Sequence, residues 1–300
     1  MVGDANPDLV LRGDVLPRFG QVEQLVDAAD LVLAGSGGIV AAGAARLGLR
    51  TAMVAHLGSD GFGDFVHAEL ARRGVRTGAL IRHTDTPTGL SVILSTPDDR
   101  AILTFPGTIA LLHPDDVPDS LLARTRHVHV ASWFLIPALA GAGATLLARA
   151  HAAGCSTSLD TNWDPSGRWA GVREALPHVD VLLPNRVELL ALAGADPASD
   201  VEHAAQELRR HGPLIEMKAG AAGAIGWDDA GRHTATGLAV DVIDTTGAGD
   251  SFDAAFLTAW LGGRPFADCL RWAAVGGSLS TRAAGGTTAQ ATAEELTALI

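Results

Sequence analysis

Apolar residues along this chain fall into short unbroken runs, separated by longer stretches in which they recur every third or fourth position. The short runs Thr51–His56, His127–Ala131, Thr157–Leu159, Val179–Leu183, Leu214–Met217 and Val240–Ile243 predict strands buried on both faces. The stretches Val40–Leu47, Asp64–Arg73, Ala138–Ala152, Arg186–Ala193 and Val201–His211 predict helices between them. Alternation of this kind implies an α/β chain with a mostly parallel sheet covered on both faces. Ligands of such sheets lie beyond the carboxyl ends of the strands, which makes the residues following each run the place to look for chemistry.

Two segments depart from the alternation. Leu9–Arg12, and Gly89–Ser95 with Ala101–Phe105, read as short antiparallel strands, the second pair joined by a turn at Pro97–Arg100. They fit either a small inserted β-structure or ordinary edge hairpins. Val130–Ala148 carries no charge and is long enough to span a bilayer, but Ser132, Pro137, Gly141, Gly143 and Thr145 divide it into strand, loop and helix. It reads as core of a soluble protein. With no internal repeat or low-complexity linker, a single domain over residues 1–300 is expected.

Residues 241–256 hold the densest chemistry. The run Val240–Ile243 leads into an acidic-hydroxyl turn, two glycines follow, and Phe252, Phe256 and Trp260 then recur at helical spacing. This predicts strand, tight loop, helix. Gly247, Ala248 and Gly249 would present bare backbone N–H groups at the helix start, where the macrodipole also favours an anion. Asp250 follows in the first turn, placed to take a proton from a hydroxyl attacking phosphorus. Gly-x-Gly before a helix with Asp in the first turn also occurs for purely structural reasons.

Composition narrows the classes. A 300-residue chain that is 47% hydrophobic, 19% charged and contains 35 glycines fits a well-buried enzyme. A formal charge of −12 argues against nucleic acid or an anionic membrane as partner, while a local nest of amides still admits a small phosphorylated ligand. Cys155 and Cys269 are too few for a disulfide framework and read as buried free thiols. The start Met-Val-Gly-Asp lacks the pattern of a signal peptide, giving a cytoplasmic expectation. The eleven histidines show no metal-ligand spacing; His127 and His129 share one strand face without a third ligand. Trp133 and Phe134 read as core first and as pocket walls second.

The string Asp244-Thr245-Thr246-Gly247-Ala248-Gly249-Asp250-Ser251-Phe252 resembles the signature of the PfkB/ribokinase family of carbohydrate and nucleoside kinases. The resemblance extends over essentially the whole chain. It implies a ribokinase-like three-layer sandwich with a mostly parallel central sheet and a small β-lid, at about residues 9–20 and 87–107. It also implies Asp250 as catalytic base, with the amides of Gly247, Ala248 and Gly249 stabilising the transferring phosphoryl group.

The weaker motifs follow in the family's order. Val2-Gly3-Asp4-Ala5-Asn6-Pro7-Asp8 resembles the substrate motif, with Asp8 accepting from sugar hydroxyls and Asn6 supporting it; alone, Asn-Pro-Asp is also a turn. Ala34–Gly48 resembles the Gly-Gly loop, with Gly35 at the second glycine. Ile39 stands where an asparagine often contacts sugar, a departure that weakens any simple ribose or fructose assignment. His56–Gly63 matches a block of structural glycines. Asp160 and Asn162 are candidates for the phosphate or metal region, although Asp164-Pro165 also suits a helix cap. In Pro184–Glu188 the resemblance puts Asn185 against nucleotide phosphate and Glu188 on Mg²⁺ through water, and the same spacing fits a capped helix. Lys218–Ala224 matches the family's nucleotide loop, in which Gly220 and Gly223 would let ATP lie against backbone with Lys218 adding charge; Lys218 equally fits a solvated strand end. The resemblance also implies, in many members, a monovalent cation such as K⁺ on backbone oxygens, for which Asp244, Thr246, Ser280, Ala283 and Gly285 are the candidates by position.

These observations make the expected function ATP-dependent phosphorylation of a sugar-like hydroxyl, with ATP and Mg²⁺ as cofactors and a homodimer through the lid as the candidate assembly. A nucleoside (adenosine-type) kinase and a non-catalytic sugar or nucleotide sensor of the same fold are the alternatives.

Overall fold

The computed structural model describes residues 1–96 and 99–300. In chain order the first half comprises β1 (Asn6–Arg12), β2 (Ala28–Ala34), α1 (Ser36–Arg46), β3 (His56–Gly58), α2 (Gly61–Arg72), β4 (Ile81–His83), β5 (Leu90–Ser95), β6 (Arg100–Phe105), α3 (Asp119–Leu122), β7 (His127–Val130) and α4 (Pro137–Ala152). The second half comprises β8 (Ser156–Leu159), α5 (Val172–Ala175), β9 (Val181–Leu182), α6 (Arg186–Leu192), α7 (Val201–Arg209), β10 (Leu214–Lys218), β11 (Ala224–Asp228), β12 (Gly231–Ala235), α8 (Ala248–Leu261), α9 (Phe266–Ser280) and α10 (Ala293–Leu299).

The main sheet runs β12-β11-β10-β9-β8-β7, parallel from β7 to β10 and antiparallel at β11 and β12. Val2 extends it, bridging Val130 on one side and Val54 on the other, both in parallel. Side chains alternate across the sheet. Leu182 joins a core with α4, α6 and α7, whereas its neighbours Val181 and Leu183 join a second core with α1, α8 and α9. Helices therefore cover both faces, giving three layers. Glycines set the approach of α9 to α8: a Cβ at Gly276 would stand 2.6 Å from the Ala255 Cβ.

A second sheet, β2-β1-β5-β6, is four-stranded, with β1 antiparallel to β2 but parallel to β5. Its β2 was not legible in the apolar pattern, because three of its seven positions are exposed. Residues 13–20, expected within the lid segment, form no strand. Of the expected turn Pro97–Arg100, Pro97 and Asp98 lie outside the described residues.

Three other expectations change. Val240–Ile243 is not a strand. Among the described residues the main sheet has no further partner beyond β12, and the N–H groups of Ile243 and Asp244 both donate to the Thr281 carbonyl. The β-branched run is thus held by the end of α9, with Val242 and Ile243 facing outward. The hairpin β11–β12 was missed, and Thr51–His56 pairs only at isolated positions before β3. Val130–Ala148 resolves into β7, a loop and α4; among the described residues no helix is long and apolar enough to cross a membrane. Both cysteines are free and buried.

Candidate active site

The site forms around the first turn of α8. Gly247 caps this helix with a left-handed backbone, φ 68°, and a Cβ there would lie 2.7 Å from the Gly286 Cα, so glycine is required on both counts. Among the described residues no side chain caps the helix. The Ala248 N–H is turned to the Thr245 carbonyl at 3.2 Å, while the N–H groups of Gly247 and Gly249 have no partner among the described residues. Of the three amides the sequence singled out, those of Gly247 and Gly249 are therefore the ones free to meet an anion, with the helix dipole behind them.

Asp250 stands beside these amides, its Oδ1 accepting from the Ser36 hydroxyl at 2.5 Å. Burial pushes its carboxyl up to about 6, against the pull of the Ser36 bond. That is the direction a general base working near neutrality needs. Ser36 opens α1 directly after Gly35, whose φ is 77° and whose Cβ would lie 2.8 Å from the Asn6 Oδ1. Gly35 therefore lets α1 start against β1, bringing Ser36 to Asp250 across 214 positions of sequence.

Lys218, the only lysine in the chain, ends β10 beneath Gly249. Its Nζ donates to Asp160 Oδ2 at 2.6 Å and Asp253 Oδ2 at 3.0 Å. Burial opposes the charge on Lys218, but the surrounding carboxylates outweigh it and hold the ammonium well above its ordinary range. Asp160 is held below the carboxylate range, by Lys218 above all, although burial pushes the other way. Asp253, fully buried, is pushed well above it by desolvation, so this pair shares one negative charge facing Lys218. Asp160 serves Lys218 here, and Asn162 instead accepts from the Ser132 N–H at 2.8 Å. Ser132 and Asn162 both adopt positive φ, 56° and 55°, strained conformations that cluster where geometry is imposed by function.

On the second sheet, Asp8 lies buried on β1, its Oδ1 accepting from the Asn6 amide at 3.2 Å, and burial pushes its carboxyl up to about 7. Asp4, which the sequence reading passed over, ties the site together: its Oδ1 accepts from the Gly37 N–H at 3.0 Å and the Ser132 hydroxyl at 2.8 Å. The Ile39 side chain is buried and points at the backbone of Gly247 and Gly286, walling the anion loop. In the block His56–Gly63 the chemistry is structural as expected: Asp60 caps α2 through the Gly63 N–H and binds the Thr88 N–H at 2.7 Å.

Asn185 and Glu188 form a reciprocal capping box at α6, the Asn185 Oδ1 taking the Val187 and Glu188 N–H groups and Glu188 Oε2 taking the Asn185 N–H. Asn185 also bridges Lys218 in the sheet, so the cap adjoins the site. Burial, then Asp160, pushes Glu188 up to about 7. Among the described residues no group of three or more His, Cys, Asp or Glu side chains could hold a metal ion alone. The carboxylate oxygens of Glu188 are of the hard type that could hold Mg²⁺ through water. Gly220 and Gly223 have φ 58° and 89°, and a Cβ at Gly223 would collide with the Ala235 carbonyl at 2.2 Å.

Around Asp244 the groups are already engaged. Its carboxylate accepts from the Thr246 and Gly285 N–H groups, each at 2.8 Å. Arg100, at the start of β6 in the second sheet, donates to the Thr246 hydroxyl at 2.7 Å and stands 4.0 Å from Asp244. The Ser280 hydroxyl bonds the Gly277 carbonyl within α9. Trp133 is core, while Phe134 packs edge-on against Trp169 and Trp169 against Trp163. Ser36, Asp4, Asp253 and Arg100 are what sequence reading missed. Only Asp253 carried a signal, lying three residues after Asp250 on the same helix.

A profile described as pfkB family carbohydrate kinase matches residues 1–293. An acarbose 7(IV)-phosphotransferase of Actinoplanes sp. is 30% identical over 287 residues, covering 93% of this chain and 90% of the relative. The structure of Arabidopsis thaliana ribokinase complexed with ribose and ATP superposes with a TM-score of 0.86 at 25% identity, covering 99% of this chain and 96% of that one. Adenosine kinase from Sinorhizobium meliloti superposes with a TM-score of 0.86 at 24% identity, covering 100% of this chain and 98% of that one.

Proposed function

We propose, on the premise that this chain belongs to the pfkB family of carbohydrate kinases, that it moves the γ-phosphoryl group of ATP to a hydroxyl of a small sugar-like substrate with Asp250 as general base. The observation that carries the reading is the half-buried Asp250 carboxylate beside the N–H groups of Gly247 and Gly249, which are unpartnered among the described residues. The substrate hydroxyl gives its proton to Asp250 as its oxygen bonds to phosphorus, and the bond to the β-phosphate oxygen breaks to release ADP. Gly247 and Gly249 meet the charge on the phosphoryl oxygens, and Lys218 adds its field from beneath Gly249. Asp8, oriented by Asn6, accepts from the sugar's other hydroxyls, with Gly35 shaping that wall. Asn185, Gly220 and Gly223 border the nucleotide. Glu188 would hold Mg²⁺ through water, and the ion would supply charge neutralisation on the phosphates.

Replacing Asp250 by Asn is expected to keep the fold and ATP binding and lower turnover by about two orders of magnitude or more, the scale of general-base loss. ADP release over a panel of sugars, sugar acids and nucleosides is the measurement. Near-normal turnover of the variant would overturn the assignment. A nucleoside acceptor is the second reading, favoured by Ile39, which brings an apolar side chain where a polar contact was expected. Turnover of adenosine in preference to every sugar would select it.

The second sheet serves as the lid in this reading, placing Asp8 and Arg100 over the cleft. The Arg100 guanidinium also takes the place of a monovalent cation. The Asp244 carboxylate and the Thr246 hydroxyl are already engaged by backbone N–H groups and Arg100, and K⁺ on the nearby backbone oxygens would be repelled by the guanidinium beside it.

A further inference from the structure

At the end of the main sheet away from Asp250 lies a groove of about 830 Å³, within the range of sites for small ligands. Its residues precede the strands: His127 opens β7, Val54 comes before β3, and Arg76 comes before β4. Its floor is apolar, with Val54, Ile81, Leu122 and Val128 among its walls. Four arginines, Arg50, Arg76, Arg124 and Arg126, line it, and none forms an ion pair among the described residues. The one carboxylate there, Asp116, is turned to His56 at 2.9 Å and to the His113 N–H.

Four unpaired guanidiniums in one groove stand out in a chain of net charge −12 with 22 basic residues. Most other arginines are spent on neighbouring acids, as in Arg82–Asp64, Arg149–Asp119 and Arg209–Asp229, and those that are not, such as Arg46 and Arg264, lie outside this groove. A long polyanion is repelled by the overall field, whereas a small one inside the groove meets only the local charge within a Debye length of about 10 Å. Guanidiniums form fork-shaped bonds to phosphate oxygens, and an apolar floor beside them suits a planar base.

We propose that this groove is a second anion site, binding a nucleoside polyphosphate with its phosphates on the arginine rim and its base on the floor. The site is separate from the catalytic one and does not rest on the reading of Asp250. It connects to it physically, because Leu261, the last residue of α8, forms part of the groove wall while the first turn of α8 holds Asp250. At 1.5 Å per residue the 14-residue helix sets the two sites about 20 Å apart.

Equilibrium dialysis against labelled ATP with Mg²⁺, using the full chain and an Arg76→Ala/Arg124→Ala/Arg126→Ala variant, tests this. These side chains are exposed, and far-UV circular dichroism with Tm checks that the variant folds. The wild type is expected to bind two equivalents and the variant one, each lost guanidinium weakening the second site by about tenfold or more. Two equivalents in both proteins, or one in both, overturns the proposal. One equivalent in the wild type and none in the variant sustains the groove and instead counts against ATP binding at α8.

Discussion

At the scale of single residues the site is a set of carboxylates in different electrical surroundings. Asp250, raised to about 6, is a base only when deprotonated, so kcat/KM is expected to fall about tenfold per unit as pH drops below 6. A profile flat down to pH 5 would remove Asp250 from that role. Stability runs the other way. A carboxyl whose folded value is raised is more easily protonated in the fold, so its contribution is present at low pH and lost as pH rises through about 6. Asp250→Asn is therefore expected to melt above the wild type at pH 8, the gap closing below about pH 4, where both chains carry a neutral group. His129 has the opposite sign: burial lowers it to about 3, so the stability it brings to the fold is lost as pH falls from its ordinary range toward that value. The Asp250 effect is read cleanly only by comparing the two proteins at each pH.

At the scale of elements, the alternation of strands and helices and the loop before α8 were readable because burial on both faces leaves unbroken apolar runs. What was not readable has physical reasons. Val240–Ile243 has strand chemistry but no strand beside it, and pairing is settled by tertiary neighbours rather than propensity. Strand β2 is half solvated, so its pattern was weak. Asp250 and Gly247 were legible through a local motif, whereas Ser36, Asp4 and Arg100 join the site only through long-range folding. Arg100 couples β6 to the loop before α8, and from this we expect turnover to be the same in potassium and sodium salts. Strong activation of the wild type by K⁺ over Na⁺ would show that Arg100 is displaced by the ion. Arg100→Ala is expected to lower activity and make it responsive to K⁺.

At the scale of the whole molecule, the second sheet leaves its outer face apolar. Strand β6 is an edge strand exposed along its length, with Ile102, Leu103 and Phe105 each more than half accessible. Edges of this kind invite pairing unless covered. A second copy of the chain docking on this sheet would bury them and hold the lid over the cleft. Sedimentation is expected to give a dimer, and Ile102→Glu with Leu103→Arg a monomer with a higher KM for the acceptor. A wild type that sediments as a monomer at micromolar concentration would discard this assembly.

The solitary lysine has one more consequence, in chemical labelling. Apart from a terminal amine, Lys218 is the only primary amine the chain offers, and it is held between Asp160 and Asp253 under α8. An amine-selective acylating reagent reacts with it mainly in molecules where α8 has lifted from the end of β10, because a charged, half-buried ammonium paired with Asp160 and Asp253 is a poor nucleophile until released. The slow appearance of a single acylated side chain therefore clocks the breathing of the active site under native conditions, and bound ATP is expected to slow that clock.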